Sequence, residues 1–150
     1  MNLAELLGHP DAEAFCRDVL DVVAIYDDLI DKDKPIADRD IHRAMWLALV
    51  DMPRNPFYRA HFDLLNPLVI QAIVNWRAAN RLETTGNASA VSFVIRSTYA
   101  DIISMCATIL HGPAVSETLA IRTFIHDEGI DQYQQEMRNG MRQQQSDNQE

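Results

Sequence analysis

Helical periodicity is the feature that most limits what this chain can fold into. Apolar residues recur at three- and four-residue intervals through most of the 150 residues, which places them on one side of an α-helix. Strand-like alternation of apolar and polar residues never extends beyond a few positions. The sequence therefore predicts an all-α fold. A chain of this length can form one domain around a single core.

Prolines, glycines and capping residues divide the periodic pattern into about five helices. The first ends before Pro35 and the fourth ends before Gly112 and Pro113. Asn55 is the predicted N-cap of the third helix. The predicted bounds are 10–33, 38–51, 56–83, 88–110 and 117–138.

Pro67 interrupts the third of these helices. Its ring removes one backbone donor, so we expect a kink there, or a split into 56–65 and 67–83 with Asn66 capping the second part. Short connections favour antiparallel neighbours, and the predicted architecture is a single-domain helical bundle over residues 1–138. The polar tail, 139–150, could fray or extend the last helix.

The net charge of −9 is concentrated near the two ends of the chain. Residues 11–34 hold eight acids against three bases, and residues 117–137 hold five acids against one base, so the remainder is balanced. A nucleic-acid partner is not expected, because affinity for phosphate comes from clustered Lys and Arg. Acidic helices favour instead a protein partner or a second copy.

The cysteines and the absence of export signals in the sequence predict a cytoplasmic protein. Cys16 and Cys106 fall within apolar helical patterns without CxxC spacing, so buried free thiols are expected rather than a disulfide or a zinc site. No run of residues resembles an uninterrupted membrane span or a signal peptide, so no membrane partner is expected.

The segment IYDDLIDKDKP, residues 25–35, places four aspartates at the end of the apolar first helix. On a helical wheel Asp27 falls between Cys16 and Leu20 of the apolar arc, and Asp31 falls at the edge of that arc. A carboxylate that faces the core must be paired, hydrogen-bonded, metal-bound or protonated. The pattern predicts that Asp27 points inward and has a partner.

Two further polar features lie on the fourth and fifth helices. Asp127 and Asp131, in HDEGID, flank an apolar face at the same i, i+4 spacing. Arg96 lies at the margin of a strip of small and polar residues on the fourth helix. This strip either allows close helix packing, with Arg96 paired to a neighbouring acid, or lines a cavity. Its members are Ala90, Ser97, Ala100, Asp101, Ser104, Ala107 and Thr108.

The sequence DDLID resembles the DDxxD motif of class I isoprenoid synthases, which are all-α enzymes that bind Mg²⁺ and a substrate diphosphate. The resemblance implies Asp27 and Asp31 as metal ligands, Asp127 and Asp131 as an opposing acidic pair, and Arg96 as a diphosphate ligand. The chain is shorter than such enzymes usually are. All-α nucleoside triphosphate pyrophosphohydrolases are similar in length, but their acidic motifs use glutamates at closer spacing.

Longer stretches resemble small uncharacterised helical proteins of tailed phages and prophages. They are FCRDVLDVVAIYDDLIDKDKP, MWLALVDMPRNPFYRAHFDLLNPL and NWRAANRLE. This resemblance covers most of the chain and implies no activity. It implies a location in the host cytoplasm.

Two functional hypotheses follow. The first is a non-enzymatic interaction protein: residues 45–50, MWLALV, are apolar around the whole helix, so they form either the central helix of the monomer or a surface covered by a second copy or another protein. The second is a Mg²⁺-dependent enzyme acting on phosphate or diphosphate at the two aspartate pairs. No catalytic residue can be assigned, and no cofactor is expected unless the second hypothesis holds.

Overall fold

A computed structural model of the chain describes residues 2–32, 34–87, 90–124 and 130–147. Every regular element within these ranges is helical, and the ranges contain no strand. The predicted all-α fold is therefore confirmed.

The helices follow one another with short connections. They are α1 (Leu3–Leu7), α2 (Pro10–Asp31), α3 (Asp38–Trp46), α4 (Met52–Arg54), α5 (Pro56–Ala60), α6 (Phe62–Thr84), α7 (Ala90–Arg96), α8 (Ala100–His111), α9 (Pro113–Phe124) and α10 (Ile130–Asp147). A π-helical turn, Leu47–Asp51, joins α3 to α4, and a 3₁₀ turn, Ser97–Tyr99, joins α7 to α8.

Helix α2 begins at Pro10, as predicted, and ends at a residue in the left-handed conformation. His9 Nδ1 accepts from the Ala12 N–H at 3.4 Å, and Pro10 occupies a first-turn position where no donor is needed. Lys32 has φ 56° and its N–H donates to Asp28 O. Residue 33, included in the predicted helix, lies outside the described residues.

The second predicted helix continues further than expected. Its N-cap is Ala37 rather than Asp38, and helix continues past Asp51 to Arg54. The turn Leu47–Asp51 is π-helical and directly precedes Pro53. A π turn rearranges the hydrogen-bond ladder, and this allows a helix to continue into a proline that has no N–H to donate.

The third predicted segment is divided at His61, and the split predicted at Pro67 is absent. Asn55 is the N-cap, as predicted, and its Oδ1 accepts from the Tyr58 N–H at 3.0 Å. Asn66 and Pro67 both lie inside α6, so Asn66 caps no helix. Its Oδ1 accepts from the Tyr58 hydroxyl at 3.0 Å. The bend at His61 allows α5 and α6 both to bury side chains in one core.

The fourth predicted helix consists of α7, the 3₁₀ turn and α8. Its end is confirmed at Gly112, which has φ 87° and whose N–H donates to Thr108 O at 2.9 Å. Helix α9 begins at Pro113, before the predicted start, and α10 continues to Asp147. Residues 125–129, predicted to be helical, lie outside the described residues.

The core forms where α1, α2, α5, α6 and α8 meet. Phe15 is fully buried and stacks on Tyr58 with ring centroids 4.5 Å apart. Cys16 and Cys106 are buried free thiols, as predicted. A hydrogen bond with Cys106, together with burial, raises the pKa of Cys16. The Cys16 thiol is therefore held in the neutral form, which is the less reactive one.

The run Ala90–His111 has the length and apolar composition of a membrane span, with a mean hydropathy of 1.4. Core helices of globular proteins can share these properties. In this structure α7 packs against α6, and α8 packs against α1, α6 and α9. The absence of a membrane partner stays a prediction.

Candidate functional site around Arg96

A network of hydrogen bonds surrounds Arg96, the last residue of α7. The guanidinium binds Glu83 of α6 through two atoms, with Nη2 2.6 Å from Oε2 and Nε 3.1 Å from Oε1. Nη1 donates to Asp27 Oδ1 of α2 at 2.6 Å, and Nη2 also donates to Asn80 Oδ1 at 2.7 Å. Asp31 Oδ2 lies 3.9 Å from Nη1. Arg96 thus links three helices.

The acids of this network differ in exposure. The Glu83 side chain is 8% exposed and that of Arg96 is 19% exposed. Asp27 and Asp31 lie at the rim, with side chains 39% and 40% exposed. Asp27 has the partner that its helical position requires, but it faces the core only in part. Glu83 is the acid that is buried.

Glu83 was not predicted from the sequence as a site residue, although its position in the helical pattern indicates that it is buried. Leu65, Trp76 and Ala79 are buried residues of α6. Glu83 follows them at helical spacing, on the same side of the helix. A helical wheel placed Asp27 on the apolar face of the first predicted helix. The same construction for the third predicted helix places Glu83 on its buried face.

Tyr133 connects α10 to this network. Its hydroxyl donates to Glu83 Oε1 at 2.6 Å and lies 2.8 Å from Ser92 Oγ. The Tyr133 side chain is buried, and its ring lies 5.2 Å from that of Phe93. Burial and the hydrogen bond to the Glu83 carboxylate raise the pKa of Tyr133 to about 12.

The guanidinium of Arg96 stays protonated in the folded protein. Burial alone would lower its pKa, but the hydrogen bond and charge of Glu83, followed by the charges of Asp27 and Asp31, raise that pKa above the ordinary arginine value. The guanidinium carbon also lies 5.1 Å from the centre of the Trp76 ring, a cation–π contact. The Tyr26 ring lies 4.7 Å from Trp76 on the same wall.

Two cavities border Arg96. One, of about 270 Å³, is apolar and lies between α2 and α6. The other, of about 360 Å³, is more polar and is lined by Asp27, Ser97 and Tyr133 among others. Both are lined by Arg96, Trp76 and Tyr99, so the two cavities adjoin. The small, polar strip predicted on the fourth helix lines a cavity at Ser97.

The structure brings together only part of the predicted metal site. Asp27 and Asp31 both approach Arg96. Asp131 is exposed in the first turn of α10, and Asp127 lies outside the described residues. Within the described ranges no three His, Cys, Asp or Glu side chains form a group that could hold a metal ion. The assignment of Mg²⁺ to the aspartate pairs, and of a diphosphate to Arg96, stays a prediction.

Fold and site together define this chain as a small helical bundle with a polar network buried beside an apolar groove. Comparison with models of protein families, with curated proteins and with solved structures gave no match. The contacts within the chain are therefore the basis for proposing its function.

The phenol of Tyr133 is expected to ionise at about pH 12 in the folded protein. A raised folded pKa stabilises the protein below the unfolded tyrosine pKa of about 10, and this contribution is lost as pH rises from there through about 12. We expect a difference titration at 295 nm, wild type against Tyr133→Phe, to show this late transition. A Tyr133 transition near pH 10 in the folded protein would contradict the described hydrogen bond.

Proposed function

We propose that this chain is a small acidic helical interaction protein that associates with a second copy of itself through one apolar surface. That surface, the Trp46 face, consists of Met45, Trp46 and Leu49. A phage or prophage origin and a location in the host cytoplasm belong to the same proposal and are motivated by the sequence resemblance alone.

The exposure of the Trp46 face carries the proposal. Met45 is 55% exposed, Trp46 is 60% exposed and Leu49 is 66% exposed, whereas Leu47 between them is buried. Residues 45–50 are therefore not the central helix of the monomer, because the monomer covers only one side of them. Adjacent large apolar residues on a surface are typical of interaction sites, and tryptophan is the residue type most enriched among energetic hot spots.

Charge favours a second copy as the occupant. Residues 38–54 contain three acids, Asp38, Asp40 and Asp51, and the same number of arginines, Arg39, Arg43 and Arg54. The Trp46 face therefore lies on a neutral part of a chain whose net charge is −9. A second copy would meet this neutral stretch of the chain, whereas a basic partner would be attracted to the acidic segments instead.

The alternative, a Mg²⁺-dependent enzyme acting on a diphosphate, is less well supported by the contacts. A diphosphate would need a cation with free donors, but Arg96 already donates to Glu83, Asp27 and Asn80. Since the opposing acidic pair includes a residue outside the described ranges, we keep the enzyme only as the alternative hypothesis.

Trp46→Glu is expected to dissociate the assembly. A charge in the centre of an apolar interface removes a hot spot and buries an unpaired carboxylate, so the dissociation constant should rise at least about tenfold. Light scattering should show a mass above 17.0 kDa for the wild type and 17.0 kDa for the variant at the same concentration.

Val91→Glu is the matched control for this substitution. Val91 is 61% exposed and lies on α7, so the change adds the same charge at an equally exposed apolar position. We expect it to leave the mass of the assembly unchanged. A wild type that remains at 17.0 kDa up to high micromolar concentration would refute self-association.

A further inference from the structure

The groove between α2 and α6 has the form of a small-molecule site with two compartments. Val22 and Tyr26 of α2 and Ile73 and Trp76 of α6 line its apolar part, which has a volume of about 270 Å³ and is partly open to solvent. The adjoining polar part, of about 360 Å³, reaches Asp27. Ligand pockets are typically of about 300–1,000 Å³, mostly apolar, with a few polar groups that fix orientation.

The charge of the polar compartment selects the sign of a ligand. Asp27 and Arg96 are the charged residues that line this compartment. Glu83 and Asp31 do not line it, but their carboxylates lie 2.6 and 3.9 Å from the Arg96 guanidinium, so the four groups together have a formal charge of −2. An anionic group entering here would meet excess negative charge in a partly dry site, where such repulsion is costly.

The hydrogen bonds of Arg96 and Asp27 also favour a cationic ligand over an anionic one. Arg96 uses Nε, Nη1 and Nη2 in bonds to Glu83, Asp27 and Asn80, so few of its five N–H donors remain for an anion. In contrast, Asp27 accepts from Arg96 through Oδ1 only, and its Oδ2 receives no hydrogen bond from the described residues. Asp27 also lines the polar cavity, where this oxygen can accept from a ligand.

We infer that the groove binds a small amphipathic organic cation: a primary ammonium group beside Asp27, carried on an aromatic or branched apolar body that fills the compartment lined by Ile73 and Trp76. Trp76 and Tyr99 line both compartments and favour a cation further, because the face of an aromatic ring attracts positive charge. An inorganic cation would leave the apolar compartment unused.

The probe is 2-phenylethylamine, compared with 2-phenylethanol and 3-phenylpropionate, which are neutral and anionic molecules of similar shape. Titrations are followed by the indole N–H resonances in ¹H–¹⁵N spectra. Trp76 lines the groove and Trp46 does not, so the Trp76 resonance should shift while that of Trp46 does not. We expect the amine to bind at least about tenfold more tightly than the alcohol, and the carboxylate to bind most weakly.

Two pairs of variants test the assigned residues. Asp27→Asn removes the charge but keeps an acceptor for Arg96, and it should weaken amine binding about tenfold. Asp38→Asn makes the same change in net charge at an exposed residue of α3, and it should leave the affinity unchanged. Ile73→Gln should weaken the amine and the alcohol equally, because Ile73 contacts only the apolar body, and Ile70→Gln on the same helix is its control.

The inference is overturned if the alcohol or the carboxylate binds as tightly as the amine, or if Asp27→Asn and Asp38→Asn have equal effects. It is also overturned if the Trp76 resonance does not respond to any of the three probes. Because Ile73 is 49% exposed, Ile73→Gln can be made without opening the core, so a folding failure at Asp27 does not remove the test. None of these outcomes depends on self-association.

Discussion

Arg96→Met is expected to lower the free energy of unfolding by about 3 kcal/mol, as is typical when one partner of a buried ion pair is removed. Most of this effect should come from Glu83, because its side chain is only 8% exposed and would keep its charge with no cation beside it. Asp27 and Asp31 are far more exposed, so water can compensate their loss of a partner. Urea unfolding at a concentration where the protein is monomeric measures the change.

A second substitution at Glu83 distinguishes a lost ion pair from lost packing. Arg96→Met combined with Glu83→Gln should recover part of the loss at neutral pH. Arg81→Met, an exposed position on α6, should change stability by less than about 0.5 kcal/mol. A deficit that is the same with and without Glu83→Gln would show that Arg96 acts through packing alone.

Phe15→Ala is expected to lower the free energy of unfolding by about 4 kcal/mol. The Phe15 ring has no exposed surface and stacks on Tyr58, so its removal loses apolar burial and leaves a cavity at the centre of the core. A domain of this size is usually stable by only about 5–15 kcal/mol, so thermal unfolding should show a large decrease in Tm.

Two controls accompany this substitution. Phe15→Leu keeps most of the volume and should cost about 1–2 kcal/mol. Phe62→Ala removes the same side chain at a position that is 47% exposed, and it should cost less than half as much as Phe15→Ala. Equal losses at positions 15 and 62 would contradict the described core.

Elements with strong local signals could be predicted from the sequence. Helix α2 starts at Pro10, α5 is capped by Asn55, and α8 ends at Gly112, and each of these boundaries is set by the chemistry of one residue. The burial of Cys16 follows from its position in the apolar arc of α2.

Other boundaries depend on tertiary packing and have weak local signals. Helix α1 is only five residues long, too short for periodicity to be recognised. The break at His61 falls at a residue that is neither proline nor glycine, whereas Pro67 is accommodated inside α6. The helix that reaches Arg54 passes through a π turn, whereas the sequence predicted its end at residue 51.

The site was predicted in part. Asp27, Asp31 and Arg96 were each identified, but as parts of different arrangements, because a helical wheel gives the direction of a side chain and not the element that packs against it. Glu83 shares its helix face with buried Leu65 and Trp76, and this signal was present in the sequence. The ion pairs between α2, α6 and α7 could be identified only from the structure.

The most direct test of the proposed function is whether Trp46 loses its exposure to solvent as the protein concentration rises. Protein labelled with 5-fluorotryptophan gives two ¹⁹F resonances, which Trp46→Phe assigns, and the difference in chemical shift between H₂O and D₂O reports the exposure of each ring. Trp76 is 5% exposed in the monomer and serves as the internal reference. We predict that the Trp46 isotope shift is large in dilute protein and falls towards that of Trp76 in concentrated protein. A Trp46 isotope shift that stays large at every concentration would contradict self-association through this face.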